Sequence, residues 1–159
     1  MRLLFTASLL VARVAAAQSV AEPALSLESL PAWGKRALEA PAFAGLYGPD
    51  ARLNPFFQQG DFDGDGRLDL AVLIIEKRSG KHGVALLRRG SPAPVVVGAG
   101  RDFGNGGDDW SWMDVWRIEE TPGTPSGKSR QQLLALKSEA GGGLIWWDGR
   151  AFRWRQAGD

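Results

Sequence analysis

Ten residues dictate more about this fold than any others. Gly60-Asp61-Phe62-Asp63-Gly64-Asp65-Gly66-Arg67-Leu68-Asp69 runs without a break into Leu70-Ala71-Val72-Leu73-Ile74-Ile75. Four carboxylates fall within nine residues, and they repel one another unless positive charge or N–H donors lie between them. Two glycines sit where such a loop turns most sharply. The apolar run that follows is six residues long and rich in β-branched side chains, so the spacing predicts a strand buried on both faces. A chain built this way must hold a tight acidic turn against the end of a central strand.

The chemistry of that turn follows from its donors. Asp61, Asp63, Asp65 and Asp69 offer carboxylate oxygens at relative positions 1, 3, 5 and 9, and Arg67 offers a backbone carbonyl at position 7. Hard oxygen ligands on a flexible loop are what Ca2+ takes. We therefore expect a calcium loop over 61–69 with Asp61, Asp63, Asp65, Arg67 (through its carbonyl) and Asp69 as ligands. The alternative is a metal-free turn in which the aspartates accept backbone N–H groups. An EF-hand would need a bidentate Glu at position 12 opening a helix; that position is Val72, inside the predicted strand. Asp102, Asp108 and Asp109, in a glycine-rich loop, are candidates to complete the coordination.

The segment from Gly60 to Val72 resembles the signature of FG-GAP and VCBS-type repeats. The resemblance implies a loop joining two strands, with calcium held by Asp61, Asp63, Asp65 and Asp69 and the Arg67 carbonyl as a structural clip. The signature occurs once, and a propeller needs several blades. The segment 102–109 and the closing Leu144-Ile145-Trp146-Trp147-Asp148-Gly149 resemble small exported bacterial proteins, which implies a compartment and no activity.

Elsewhere the pattern is β. Phe56–Gln59, Val84–Arg88, Pro94–Val97, Trp110–Ile118, Gln132–Lys137, Gly143–Trp147 and Ala151–Gln156 are expected strands, and Asp148-Gly149 is a hairpin signal. One short helix is expected from about Ser29 to Ala40, stopped by Pro41. The expected fold is a mainly β, single antiparallel domain with a short N-terminal helix, and not a full propeller.

Organisation and address come from the first residues. Arg2, the apolar run Leu3–Ala12 and Ala15-Ala16-Ala17 read as a cleaved signal peptide over 1–17, followed by a tether over 18–28 and one domain over 29–159. A periplasmic or secreted location follows from that reading. Its removal takes two arginines and no acid, turning a net charge of +1 into −1. A near-neutral domain does not suit nucleic acid, and no second run approaches the length of a membrane span. With no cysteine, disulfide and thiol chemistry are excluded.

Three functional readings arise. The first is an exported calcium-binding β domain, with structural calcium, acting as a non-catalytic envelope or surface binding protein for a protein or glycan partner. The alternative is a carbohydrate- or peptide-binding module using those of the chain's seven tryptophans that are exposed. The third is a calcium-dependent hydrolase, for which the sequence offers little: His82, the only histidine, is expected in a hairpin turn without a nucleophile partner. Pro122–Ser129 fails as a phosphate loop because position 122 is proline rather than glycine.

Overall fold

The computed structural model describes residues 27–120 and 131–158. The signal-peptide reading, most of the tether and the loop 121–130 lie outside the described residues. The architecture is mainly β, as expected: two open antiparallel sheets with short helices on one side. The first sheet holds β1 (Tyr47–Pro49), β2 (Phe57–Gly60), β3 (Asp69–Glu76), β4 (His82–Leu87) and β5 (Val95–Gly98). The second is a meander of β6 (Val115–Glu120), β7 (Gln131–Lys137), β8 (Gly141–Trp147) and β9 (Phe152–Ala157). Among the described residues neither sheet closes on itself, and they form no barrel and no propeller.

Strand β3 lies at the centre of this arrangement. One edge pairs with β4 along its length, and the other is shared end to end by β1 and β2. Because strand side chains alternate, its two faces feed two cores. Ala71 and Leu73, with Val84, Leu86 and Val97, meet Trp116, Leu133, Ala135, Ile145, Trp147 and Phe152 of the second sheet. Leu70, Val72 and Ile74, with Ala85 and Leu87, face the helices and pack on Leu30, Leu38 and Tyr47. The continuous apolar run is the consequence of burial on both sides, each such side chain contributing about 1.5–3 kcal/mol.

The helical layer departs from expectation at Pro41. Helix α1 spans Ala32–Glu39, and Pro41 then opens a second short helix, α2 (Pro41–Ala44). Proline ends one helix and also suits the first position of the next, because its missing N–H is unpaired there anyway. Leu27, at the start of the described residues, packs its side chain against the helix-side core.

A second correction concerns the tryptophans. The expected strand over 110–118 begins only at Val115. Residues 110–114 instead turn: the Trp110 N–H donates to the His82 carbonyl, and Met113 N–H donates back to Trp110. Trp110 and Trp112 therefore meet through a turn, with ring centroids 5.8 Å apart. Trp146 and Trp147, neighbours in β8, point to opposite faces: Trp147 joins the inter-sheet core and Trp146 stands half-buried on the outer face.

At Gly83 a Cβ would collide with backbone atoms of Val97, Gly98 and Ala99, so Gly83→Ala must push β5 off β4. A loss of about 1–3 kcal/mol in urea denaturation is expected. At the β8–β9 turn, Asp148 Oδ1 accepts the N–H groups of Arg150 (2.7 Å) and Ala151 (2.8 Å) while Oδ2 takes Arg153 Nε (2.6 Å). The Ala151 N–H and the Arg153 guanidinium lead in holding its carboxyl down at about 2. A depressed carboxyl stabilises the fold above its unfolded value near 3.8 and ceases to do so as pH falls through about 2. Asp148→Ala should therefore lower the melting temperature at pH 6, and the gap from wild type should close between pH 4 and pH 2.

Candidate metal centre

The acidic loop joins β2 to β3, whose register brings Gly60 opposite Asp69 and so closes the turn at its base. Gly64 and Gly66 adopt φ of 75° and 87°, a conformation other residues take only with strain. Asp61 organises the bend: its Oδ1 accepts N–H groups from Gly64 (2.8 Å) and Asp65 (3.0 Å), and its Oδ2 accepts Gly66 N–H (2.8 Å). Asp63 Oδ1 takes the Asp65 N–H at 3.1 Å. These bonds turn Asp61, Asp63 and Asp65 inward, so that each offers a carboxylate oxygen within 4.8 Å of the others.

Asp69 is placed differently from those three. It is fully buried, and its two oxygens accept the N–H groups of Phe62 (3.2 Å) and Arg89 (2.7 Å). It thus ties both ends of the loop to the turn after β4. Burial pushes its carboxyl up to about 6 against the pull of those donors, and the neighbouring Asp63 charge adds to the rise. Arg67, the expected carbonyl ligand, also uses its side chain: its guanidinium grips Asp65 Oδ2 through Nε (2.8 Å) and a terminal nitrogen (2.5 Å). That contact holds the Asp65 carboxyl below the usual range.

Sequence reasoning missed two residues that brace this loop. Arg88 reaches Asp63 Oδ2 at 3.1 Å while its guanidinium lies 4.0 Å from the centre of the Trp147 ring in the second sheet. Gln131, at the start of β7, accepts the Asp61 N–H at 2.8 Å and donates its own N–H to the Asp61 carbonyl at 3.1 Å. The loop consequently fastens the two sheets together as well as β2 to β3. Nothing in the local sequence marks either residue, since both contacts cross long stretches of chain. No family model, curated protein or solved structure matches this chain. The resemblance to FG-GAP and VCBS repeats therefore rests on residues 60–72 alone.

The remaining acids do not converge on the loop. Asp108 pairs with Lys81, and Asp109 accepts the His82 N–H (3.0 Å) and both the N–H and hydroxyl of Ser111. Asp102 lies beside the bridge between Gly98 and Arg101. All three belong to the end of the first sheet where β4 begins, whereas the acidic loop sits where β4 ends; a six-residue strand separates them by about 20 Å.

His82 is not in the hairpin turn expected for it. It opens β4 half-buried, and its Nδ1 lies 2.8 Å from Oδ2 of the buried Asp50. Arg52 joins them, its backbone N–H on Asp50 Oδ1 (2.9 Å) and its guanidinium on the carbonyls of Trp110, Ser111 and Met113. Among the described residues no hydroxyl bonds the imidazole. The group works as a clamp that shapes the turn at 110–114.

The brace makes a prediction. Removing Arg88 strips Asp63 of its counter-charge and Trp147 of its cation. In chelator, Arg88→Ala should cost about 1–2 kcal/mol by urea denaturation, and Arg88→Lys should recover only part, because a point charge cannot both stack and pair. Full recovery by lysine would reduce the role of Arg88 to simple charge.

Proposed function

We propose that this is an exported calcium-binding β domain in which the ion serves structure, and that it acts as a non-catalytic binding protein at the cell envelope or surface. The observation that carries the calcium reading is the convergence of Asp61, Asp63 and Asp65 oxygens within 4.8 Å of one another. The donor chemistry fits a hard divalent cation: every candidate ligand is an oxygen, and the Arg67 carbonyl follows two residues after Asp65. The non-catalytic reading draws support from the clamp around His82, which commits the one histidine to shaping a turn. No helix of the described residues is long and apolar enough to cross a membrane. Export rests on residues 1–17, as read from the sequence.

A cation bound only by the folded state raises stability by RT ln(1 + [L]/Kd), about 2.7 kcal/mol at one hundred times Kd. The melting temperature of the protein should therefore climb with calcium and fall back in chelator. Asp65→Ala separates this from ordinary loop stability. Asp65 is exposed and its side-chain partner is the exposed Arg67, so the variant should melt close to wild type in chelator while losing the calcium shift. Asp63→Ala is the poorer choice, because it also breaks the Arg88 pair. A midpoint that stays unchanged in millimolar calcium leaves the loop as a hydrogen-bonded turn and overturns the reading.

A further inference from the structure

At the end of the second sheet remote from the acidic loop, a groove of about 440 Å³ opens between the 104–106 turn, Trp112, the β7–β8 hairpin and β9. Its walls include the half-buried indoles of Trp112 and Trp154, set at 90° with centroids 6.4 Å apart. Both rings are held in place. Trp154 lies so close to Gly104 and Gly143 that a Cβ at either would collide with it, and Trp112 Nε1 donates to the Gly106 carbonyl at 3.0 Å. With that N–H engaged, what Trp112 has left to offer is ring carbon.

The polar partners are amides. Asn105 and Gln156 are both exposed at the rim; Gln156 Oε1 takes the Asn105 amide and the Trp154 indole N–H, each at a long 3.4 Å, which leaves the Gln156 amide N–H groups and the Asn105 carbonyl to spare. Gly141 and Gly142 form a floor without side chains. Lys137 also lines the groove, and its charge is matched by Asp114 at 2.8 Å. The site therefore combines fixed aromatic surface, neutral donors and acceptors and no unmatched charge. A ligand complementary to it is uncharged, with an apolar C–H face and a hydroxyl-bearing edge. Those are the features of a pyranose ring.

We propose that this groove binds a neutral pyranose oligosaccharide, with Trp112 and Trp154 as the stacking surfaces and Asn105 and Gln156 bonding the sugar edge. The proposal rests on the non-catalytic binding reading and names its ligand class and site. It does not depend on the metal: the groove meets β7 at Lys137 while the acidic loop meets it at Gln131, the opposite end of the strand.

Nuclear magnetic resonance of the 15N-labelled protein tests it, because each tryptophan contributes its own indole N–H signal. Cellotriose, tri-N-acetylchitotriose, maltotriose and xylotriose are titrated separately, in calcium and in chelator. At least one sugar should shift the Trp112 and Trp154 signals saturably in both media, leaving Trp33 and Trp146 unmoved. Asn105→Ala and Gln156→Ala, at exposed positions, should each weaken binding about 5-fold with no change in melting temperature, a loss typical of one hydrogen bond. Trp112→Ala should weaken it about 10-fold, with Trp112→Phe partly restoring it. No response to any sugar at about 10 mM, or shifts confined to Trp33 or Trp146, would overturn the proposal. So would a response only to an extended peptide such as hexa-alanine, which would mark β9 as an edge that pairs with a strand. Sugar binding that persists while calcium leaves the melting temperature unchanged would dismiss the metal reading and keep this one.

Discussion

Six consecutive side chains of β3, from Asp69 to Ile74, are closed to solvent. Everything else in the domain is arranged to keep them so. A strand buried on both faces needs a layer on each side, and here the helices supply one and the second sheet the other. Its edges must be paired along their length as well, which is why β1 and β2 divide one edge between them. The unusual member of the six is Asp69. A carboxylate in this position survives only because its two oxygens receive N–H groups from Phe62 and Arg89. The central strand thus begins with a polar anchor that fixes the acidic loop on one side and the end of β4 on the other.

That dependence explains which features were legible in the sequence. β3 and the acidic loop could be read because each is a local pattern: a continuous apolar run, and carboxylates alternating with glycines. The strands β4, β7, β8 and β9 were likewise marked by their own composition and turns. What failed was any feature whose cause lies far along the chain. Trp110–Asp114 alternates as a strand should, yet its N–H groups and carbonyls are claimed by His82, Leu136 and Arg52. β1 has the residues Tyr-Gly-Pro, which carry little strand signal, and it forms because the upper half of β3 needs a neighbour. Pro41 could be read as a stop or a start, and only packing decides that it is both.

The candidate site divides in the same way. The convergence of Asp61, Asp63 and Asp65 was legible from spacing, because a loop with glycines at 64 and 66 curls its first, third and fifth side chains inward. The different placement of Asp69, paired with backbone at the base of the loop, was not. Nor were Arg88 and Gln131, although they decide what the loop holds together. Arg88 is the more telling of the two. One guanidinium touches Asp63 in the loop and the Trp147 ring in the other sheet, so the electrostatics of the loop are bound into the hydrophobic core.

Consider what that coupling means for the two ends of the domain. At the loop end, three carboxylates face two guanidiniums, Arg67 on Asp65 and Arg88 on Asp63, while Asp61 is satisfied by backbone N–H groups. Any cation entering there competes with an exposed arginine that can swing away and a stacked one that cannot. Arg67 can yield Asp65 at little cost, since it lies on the surface. Arg88 is held from two sides, by Asp63 and by the Trp147 ring. A loop of this kind can exchange its outer partner while keeping its inner one, so that the join between the sheets is maintained whichever cation Asp65 faces. The groove end is held by other contacts. Trp112 and Trp154 are held locally, by the Gly106 carbonyl and by close approach to Gly104 and Gly143, while the loop joins the two sheets at the other end of β7.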